Sequence, residues 1–392
     1  MRKFVWLIAL FLVSCQYSSR TGQKSSIPTH FKPDLSYHPN QKTGSIDTFF
    51  THLHEKRAFN GCVLVANGGK IIYKKAFGYA NFLKKDSLKL DSKFQLASVS
   101  KQFTAMAILI LQEKGKLKIS EPVKDFYPDF PYPKITIHEL LCHRSGLPKY
   151  EWITERFWKN KKVAMTNQDL MNMLAQLKPS LFSNPNTHFF YNNINYAVLA
   201  ALVEKCSGKS LAEFLKENVF QKIGMHNTLI YSKAVDSIYP TNLIGYEKTF
   251  RIRDDPNWMD GIVGDKGVFS TVEDLFIWDQ MLYTSEMVSS SSLQEAFKSK
   301  NKEIKGHFNY GYGWRIFHPN SLKDSLAREK GPKIVYHTGW WHGYKNLLVR
   351  DLEHHNTIII LSNIFNPSMD NLDPLYKILG IPPVRQGAYD SE

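Results

Sequence analysis

Two kinds of hydrophobic pattern divide this chain. Near its start, residues 61–66 and 70–77 are apolar, β-branched runs separated by Asn67-Gly68-Gly69, the turn chemistry of a tight hairpin. The same strand-like character returns at residues 310–317, 334–337, 344–351 and 357–362. Between these ends the apolar period changes to that of helices. From Ser98 onward Phe103, Met106, Ala107, Leu109, Ile110 and Leu111 line a face that Gly115 ends, and residues 135–143, 167–177, 196–206, 211–219 and 272–282 are also helical. Strands at both ends with helices between predict an α/β (α+β) fold. Its antiparallel sheet is built from both chain ends and flanked by helices, with a mostly helical lobe inserted at about residues 98–300. The domain is expected to run from 43 to 380, and no repeat of fixed period is present.

The first residues follow another pattern. Arg2 and Lys3 precede an apolar run at 4–13, too short to span a bilayer and shaped like a secretory signal. Leu12-Val13-Ser14-Cys15 resembles a bacterial lipobox, which implies a signal peptide over 1–15 and lipidation of Cys15. Residues 16–42, rich in Ser, Thr, Lys, Gln and Pro, read as a flexible tether. At 392 residues and 43% hydrophobic, the remainder has ample material for a large core. The net charge of +14 comes from dispersed lysines without a basic-aromatic block, which suits a solvated surface or an anionic envelope rather than nucleic acid. With Cys15 acylated, Cys62, Cys142 and Cys206 form an odd set in apolar contexts, read as buried free thiols. No C-x-x-C or H-E-x-x-H spacing supports a metal site, and no cofactor is expected.

Candidate chemistry begins at Ser98-Val99-Ser100-Lys101. A serine hydroxyl needs a neighbouring base, and residues three apart on a helix share a face. The pair alone is common: Ser299 and Lys302 repeat it in a polar, Lys-rich stretch. Tyr191-Asn192-Asn193 precedes an apolar helix, where Tyr can relay a proton and Asn can face a substrate amide, although Asn-rich turns also serve as plain helix caps. His337-Thr338-Gly339 opens onto Trp340-Trp341-His342-Gly343, where a glycine permits close backbone approach. Structural glycine and core tryptophan are the plain alternative.

In this order the three motifs resemble those of the serine beta-lactamase-like superfamily, in the branch of class C beta-lactamases, DD-peptidases, D-amino-acid peptidases and related esterases. The resemblance extends to Phe77-Gly78-Tyr79-Ala80, Leu140-Leu141-Cys142-His143-Arg144-Ser145-Gly146-Leu147-Pro148, Gly224-Met225, Gly267-Val268-Phe269-Ser270-Thr271 and Tyr310-Gly311-Tyr312-Gly313-Trp314, all taken as scaffold. It implies Ser98 as nucleophile, Lys101 and Tyr191 as the proton-handling pair, and Asn193, His337, Thr338 and Gly339 as substrate-binding residues. The amides of Ser98 and Trp340 would form the oxyanion hole. His337 replaces the lysine of a K-T-G triplet, removing a fixed cation suited to a substrate carboxylate. Trp340 and Trp341 would add an apolar wall. No G-x-S-x-G elbow is present, His143 is placed in a turn, and His354-His355 in an exposed hairpin turn.

The expected activity is that of an envelope-anchored serine hydrolase, lipid-anchored and facing the periplasm or exterior. It would form an acyl-enzyme with amides or esters of small peptide-like substrates, in the manner of D-amino-acid peptidases and DD-peptidases. A carboxylesterase, a weak beta-lactamase or a retired wall-peptide-binding protein are the alternatives. The chain is expected to act as a monomer and to bind no nucleic acid.

Overall fold

In chain order, α1 (Thr43–Glu55) precedes the hairpin β1 (Gly61–Asn67) and β2 (Lys70–Phe77), followed by short strands β3 (Tyr79–Asn81), β4 (Asp86–Ser87) and β5 (Phe94–Gln95). A single 3₁₀ turn, Ala97–Ser100, runs directly into α2 (Lys101–Glu113). Helices α3 (Ile137–Leu141), α4 (Tyr150–Phe157), α5 (Asn167–Leu177), α6 (Ile194–Ser207), α7 (Leu211–Leu215) and α8 (Gln221–Ile223) come next. Strands β6 (Leu229–Ile230) and β7 (Val268–Ser270) precede α9 (Val272–Met281) and α10 (Ser290–Ala296). The chain then returns as β8 (Phe308–Tyr310), β9 (Arg315–Phe317), β10 (Ile334–Trp341), β11 (Tyr344–Asp351) and β12 (Asn356–Ser362), and closes with a helix at Asp373–Leu379. These elements come from a computed structural model that describes residues 31–236, 238–247, 255–301, 307–318, 334–366 and 371–384. The signal, the lipobox with Cys15 and most of the tether lie outside the described residues.

The principal sheet has seven antiparallel strands in the order β2-β1-β12-β11-β10-β9-β8, so the two ends of the chain share one sheet as the pattern predicts. Its central strands are continuous apolar runs because both faces are covered. Cys62, Leu64, Ala66, Leu348, Ile359 and Leu361 face the large core around α2 and α6. Their alternates Val63, Val65, Leu347, Val349, Ile358 and Ile360 face a smaller core with Ile46, Phe50, Leu375 and Leu379 from α1 and the last helix. Helix α2 is buried at every position from Lys101 to Leu111, which explains its all-round hydrophobicity.

Three details differ from the sequence pattern. Residues 310–317 are not one strand but two short ones, turned back on each other through Gly311 to Trp314. The helix expected over 211–219 breaks after Leu215 into a π turn. Cys206 is half-buried rather than buried, while Cys62 and Cys142 are buried thiols.

Candidate active site

Ser98 occupies the second position of the 3₁₀ turn that starts α2. The turn is conformationally tense: Ala97, its first residue, has φ +50°, a left-handed conformation that costs a non-glycine residue of order 1 kcal/mol and recurs at functional sites. One turn further on, the completely buried Lys101 donates to Ser98 Oγ at 2.8 Å, to Asn193 Oδ1 at 2.8 Å and to the Asp265 carbonyl at 3.0 Å. Three oxygen acceptors suit the three protons of an ammonium and offset the cost of withdrawing it from water.

Tyr191 and Asn193 reach this centre from the loop before α6. Asn192 pins that loop, donating its side chain to the Leu147 carbonyl at 2.6 Å and its backbone N–H to His143 Nδ1 at 3.2 Å. The Tyr191 ring is flanked by the Lys101 ammonium and by the Arg315 guanidinium of β9, each 5.0 Å from its centroid. His143 packs on it at 4.4 Å between centroids. Asn193 spends both ends of its amide: Oδ1 accepts from Lys101 and Nδ2 donates to Glu151 Oε1 at 2.9 Å.

Strand β10 brings the third motif against the nucleophile. A Cβ on Gly339 would stand 2.2 Å from the Leu96 carbonyl oxygen and 3.2 Å from the Ser98 nitrogen, so only glycine permits this approach. His337 is placed differently from the expectation that it donates to substrate. Its ring is wholly buried, with Nδ1 2.6 Å from the Thr338 carbonyl and Nε2 3.0 Å from the Tyr310 hydroxyl. A carbonyl can only accept, so Nδ1 carries the proton and Nε2 accepts from Tyr310. Burial, reinforced by Arg315 and Lys101, holds His337 well below its ordinary pKa. Thr338 is half-buried. Trp340 is 61% exposed, with its ring 4.9 Å from Phe365, whereas Trp341 turns away to donate to Asp260 at 2.8 Å. The apolar wall is therefore Trp340 with Phe365.

Sequence reasoning passed over three participants. His143, placed in a turn with φ +58°, is fully buried beneath Tyr191. Its Nδ1 accepts from the Asn192 N–H and faces Asn195 Nδ2 at 3.0 Å, so the proton is on Nε2. Burial, with Lys101, His337 and Arg315 nearby, keeps it well below the usual histidine pKa. Arg315 and Glu151 are the others. Arg315 adjoins the Tyr310 to Trp314 stretch taken as scaffold, but nothing in spacing alone marks Glu151.

Comparison with known proteins gives the family. A family model described as "Beta-lactamase" matches residues 46–380. The chain is 37% identical over 337 residues to penicillin-binding protein 4* of Bacillus subtilis, covering 82% of this chain and 72% of the relative. It is 29% identical over 232 residues to a D-aminopeptidase of Brucella anthropi, covering 57% of this chain and 42% of that one. The crystal structure of a penicillin-binding protein from Bacillus halodurans superposes with a TM-score of 0.70 at 23% identity, over 88% of this chain and 99% of the other, a likeness of fold. With a match spanning nearly every described element and a buried lysine on a helix-initial serine, the chain belongs to the beta-lactamase family of serine hydrolases.

Proposed function

We propose that this hydrolase cleaves amide or ester bonds of small peptide-like substrates, of the D-amino-acid peptide type, through an acyl-enzyme on Ser98. The contact of Lys101 Nζ with Ser98 Oγ, 2.8 Å long and shared with Asn193, carries this reading. Ser98 Oγ attacks the carbonyl carbon while its proton passes to the deprotonated member of the pair, Lys101 as the free amine or Tyr191 as the phenolate. Positive charge from Lys101 and Arg315, each 5.0 Å from the Tyr191 ring centroid, favours negative charge developing on Tyr191. The amides of Ser98 and Trp340 hold the oxyanion, a term worth roughly 3 to 4 kcal/mol per donor. Tyr191 returns the proton to the leaving group, and water then releases the acyl group by the reverse sequence. The similarity to a penicillin-binding protein and a D-aminopeptidase supports a peptide substrate. A neutral, inward-turned His337 disfavours the fixed cation that would suit a beta-lactam carboxylate.

The test is to incubate the protein with a fluorescent penicillin, p-nitrophenyl acetate and a D-alanyl-D-alanine peptide, and to locate adducts by mass spectrometry. Turnover of the peptide with an adduct on Ser98 is expected. Ester turnover without peptide cleavage would move the assignment to a carboxylesterase. Failure of every probe, a fluorophosphonate included, to label Ser98 would sink the hydrolase reading. The protein is further proposed to be held at the bacterial envelope through lipidated Cys15, in which case Cys15→Ala releases it from membranes.

A further inference from the structure

The Asp265 carbonyl, one of the acceptors of Lys101, belongs to a turn that is clamped before it reaches the ammonium. On the α2 side, Thr104 donates to the Gly264 carbonyl at 2.8 Å, and the Val268 N–H donates to Ser100 Oγ at 3.1 Å. Against α6 there is no slack: Gly264 has φ +104°, and a Cβ there would stand 2.6 Å from the Tyr196 carbonyl oxygen, so glycine is required. The two charges of the turn, Asp265 and Lys266, are both buried. Tyr150, the first residue of α4, donates its hydroxyl to Asp265 Oδ2 at 2.9 Å and accepts from Lys266 Nζ at 2.9 Å, and Lys266 also lies 3.6 Å from Asp265 Oδ1. Lys266 is closed in by the Ile262 carbonyl at 3.0 Å and by the Trp341 ring of β10, whose centroid is 4.8 Å away. Burial and the Asp265 carboxylate hold the Tyr150 hydroxyl well above its ordinary pKa, so it keeps the proton it donates. A buried ion pair is seldom a net source of stability. What this one fixes is the peptide that faces Lys101.

We propose that Asp265, Lys266 and Tyr150 are positioning residues for the reaction: they lock the turn so that the Asp265 carbonyl holds Lys101 Nζ against Ser98 Oγ. Their side chains act through the backbone and not on the substrate. Because Glu151 holds Asn193, adjacent residues at the start of α4 then secure two acceptors of Lys101, the Asp265 carbonyl and Asn193 Oδ1. A satisfied buried network is rigid, and displacing a reacting group by about 1 Å can cost about 10²-fold in rate. This inference rests on the hydrolase reading above. The other charged and titratable groups around Lys101 are Tyr191 and Tyr196, whose rings it faces, His143, His337 and Arg315, and Glu151 through Asn193.

The experiment compares Tyr150→Phe and Asp265→Asn with the unaltered protein in p-nitrophenyl acetate turnover from pH 6 to 10. Tyr150→Phe keeps the ring and removes both hydroxyl bonds, whereas Asp265→Asn keeps the shape and removes the charge opposite Lys266. Each is expected to lower kcat/KM by about tenfold to a hundredfold and to move the midpoint of its acidic limb by about 0.5 pH unit or more. The midpoint falls if Lys101 reacts as the free amine, since its ammonium has lost a fixed acceptor. It rises if Tyr191 reacts as the phenolate, since the cation facing it is no longer held. A variant with native near-ultraviolet circular dichroism that keeps kcat/KM within about threefold of the unaltered protein overturns the proposal. So does one that loses activity with the midpoint unmoved, which would make the network structural only. Should one variant fail to fold, the other decides. Absence of both ester turnover and a fluorophosphonate adduct on Ser98 in the unaltered protein would instead defeat the hydrolase reading beneath it.

Discussion

Gly339 lies so close to the backbone of Ser98 that a methyl group cannot be inserted: its Cβ would fall 3.2 Å from the Ser98 nitrogen and 2.2 Å from the Leu96 carbonyl. Gly339→Ala must therefore push β10 away from the nucleophile turn, carrying the Trp340 amide with it. Loss of this proposed oxyanion donor is expected to lower kcat by about 10² to 10³, and the steric conflict costs about 1 to 3 kcal/mol of stability. Steady-state kinetics with p-nitrophenyl acetate and urea unfolding check the two effects. A variant with wild-type kcat would show that β10 contributes no donor.

Lys101 is held by contacts that no other side chain reproduces. Lys101→Met removes the donor to Ser98 Oγ, Asn193 Oδ1 and the Asp265 carbonyl, and kcat/KM is expected to fall by about 10² to 10⁴, the range of a positioned proton-transfer group. Lys101→Arg should not rescue it, because a planar guanidinium cannot direct protons to three acceptors arranged around a point charge. Fluorophosphonate labelling of Ser98 offers a direct readout. Fast labelling of Lys101→Met would exclude Lys101 from activating the serine.

The parts of this fold that were legible in sequence are those fixed by local rules. Helix α5 begins where the pattern places it because Thr166 and Asp169 form a reciprocal cap, and the hairpin at Asn67-Gly68-Gly69 has glycines at φ +57° and +74°. Ser98, Lys101, Tyr191 and Asn193 stand beside helix starts that spacing reveals, but they were singled out by the order of the three motifs and the family resemblance that order carries. The stretch 310–317 misleads because Gly311 and Gly313 interrupt a run that is otherwise aromatic and strand-like. Glu151, His143 and Arg315 escaped for a different reason: only tertiary packing brings α4, the end of α3 and β9 against Tyr191 and Asn193. Helix α4 is also short, with Tyr150, Ile153 and Thr154 alone buried among its eight residues.

Stability should fall on mild acidification. His143 and His337 are buried and neutral, with folded pKa values well below the ordinary 6.5. The unfolded chain therefore binds more protons than the folded one once the pH drops below about 6.5, so their contribution is complete above that pH and is lost as the pH falls towards the depressed folded values. Each histidine adds a slope approaching about 1.4 kcal/mol per pH unit in that window. Urea unfolding at pH 7.5 and 5.5 measures the total, and His143→Asn or His337→Asn should each reduce the slope by about one proton. An unchanged slope in both variants would mean that other groups dominate.

Arg350 and Asp279 form an ion pair with no solvent exposure, Nε to Oδ1 at 2.5 Å, tying β11 to α9. Asp279 also accepts from Thr357 Oγ1 at 2.7 Å on β12, and Arg350 Nη2 donates to the Asp279 carbonyl at 3.0 Å. Aromatic rings surround the guanidinium, with Tyr283 at 4.5 Å and Trp314 at 5.7 Å, so no water can replace a missing carboxylate charge. Asp279→Asn strands the buried cation and is expected to cost about 3 to 5 kcal/mol. A pair of apolar replacements, Asp279→Leu with Arg350→Met, removes the desolvated charges together and should recover most of that loss. Denaturant midpoints of the three proteins test this ordering; a double variant no more stable than Asp279→Asn would show that the pair does more than compensate its own burial.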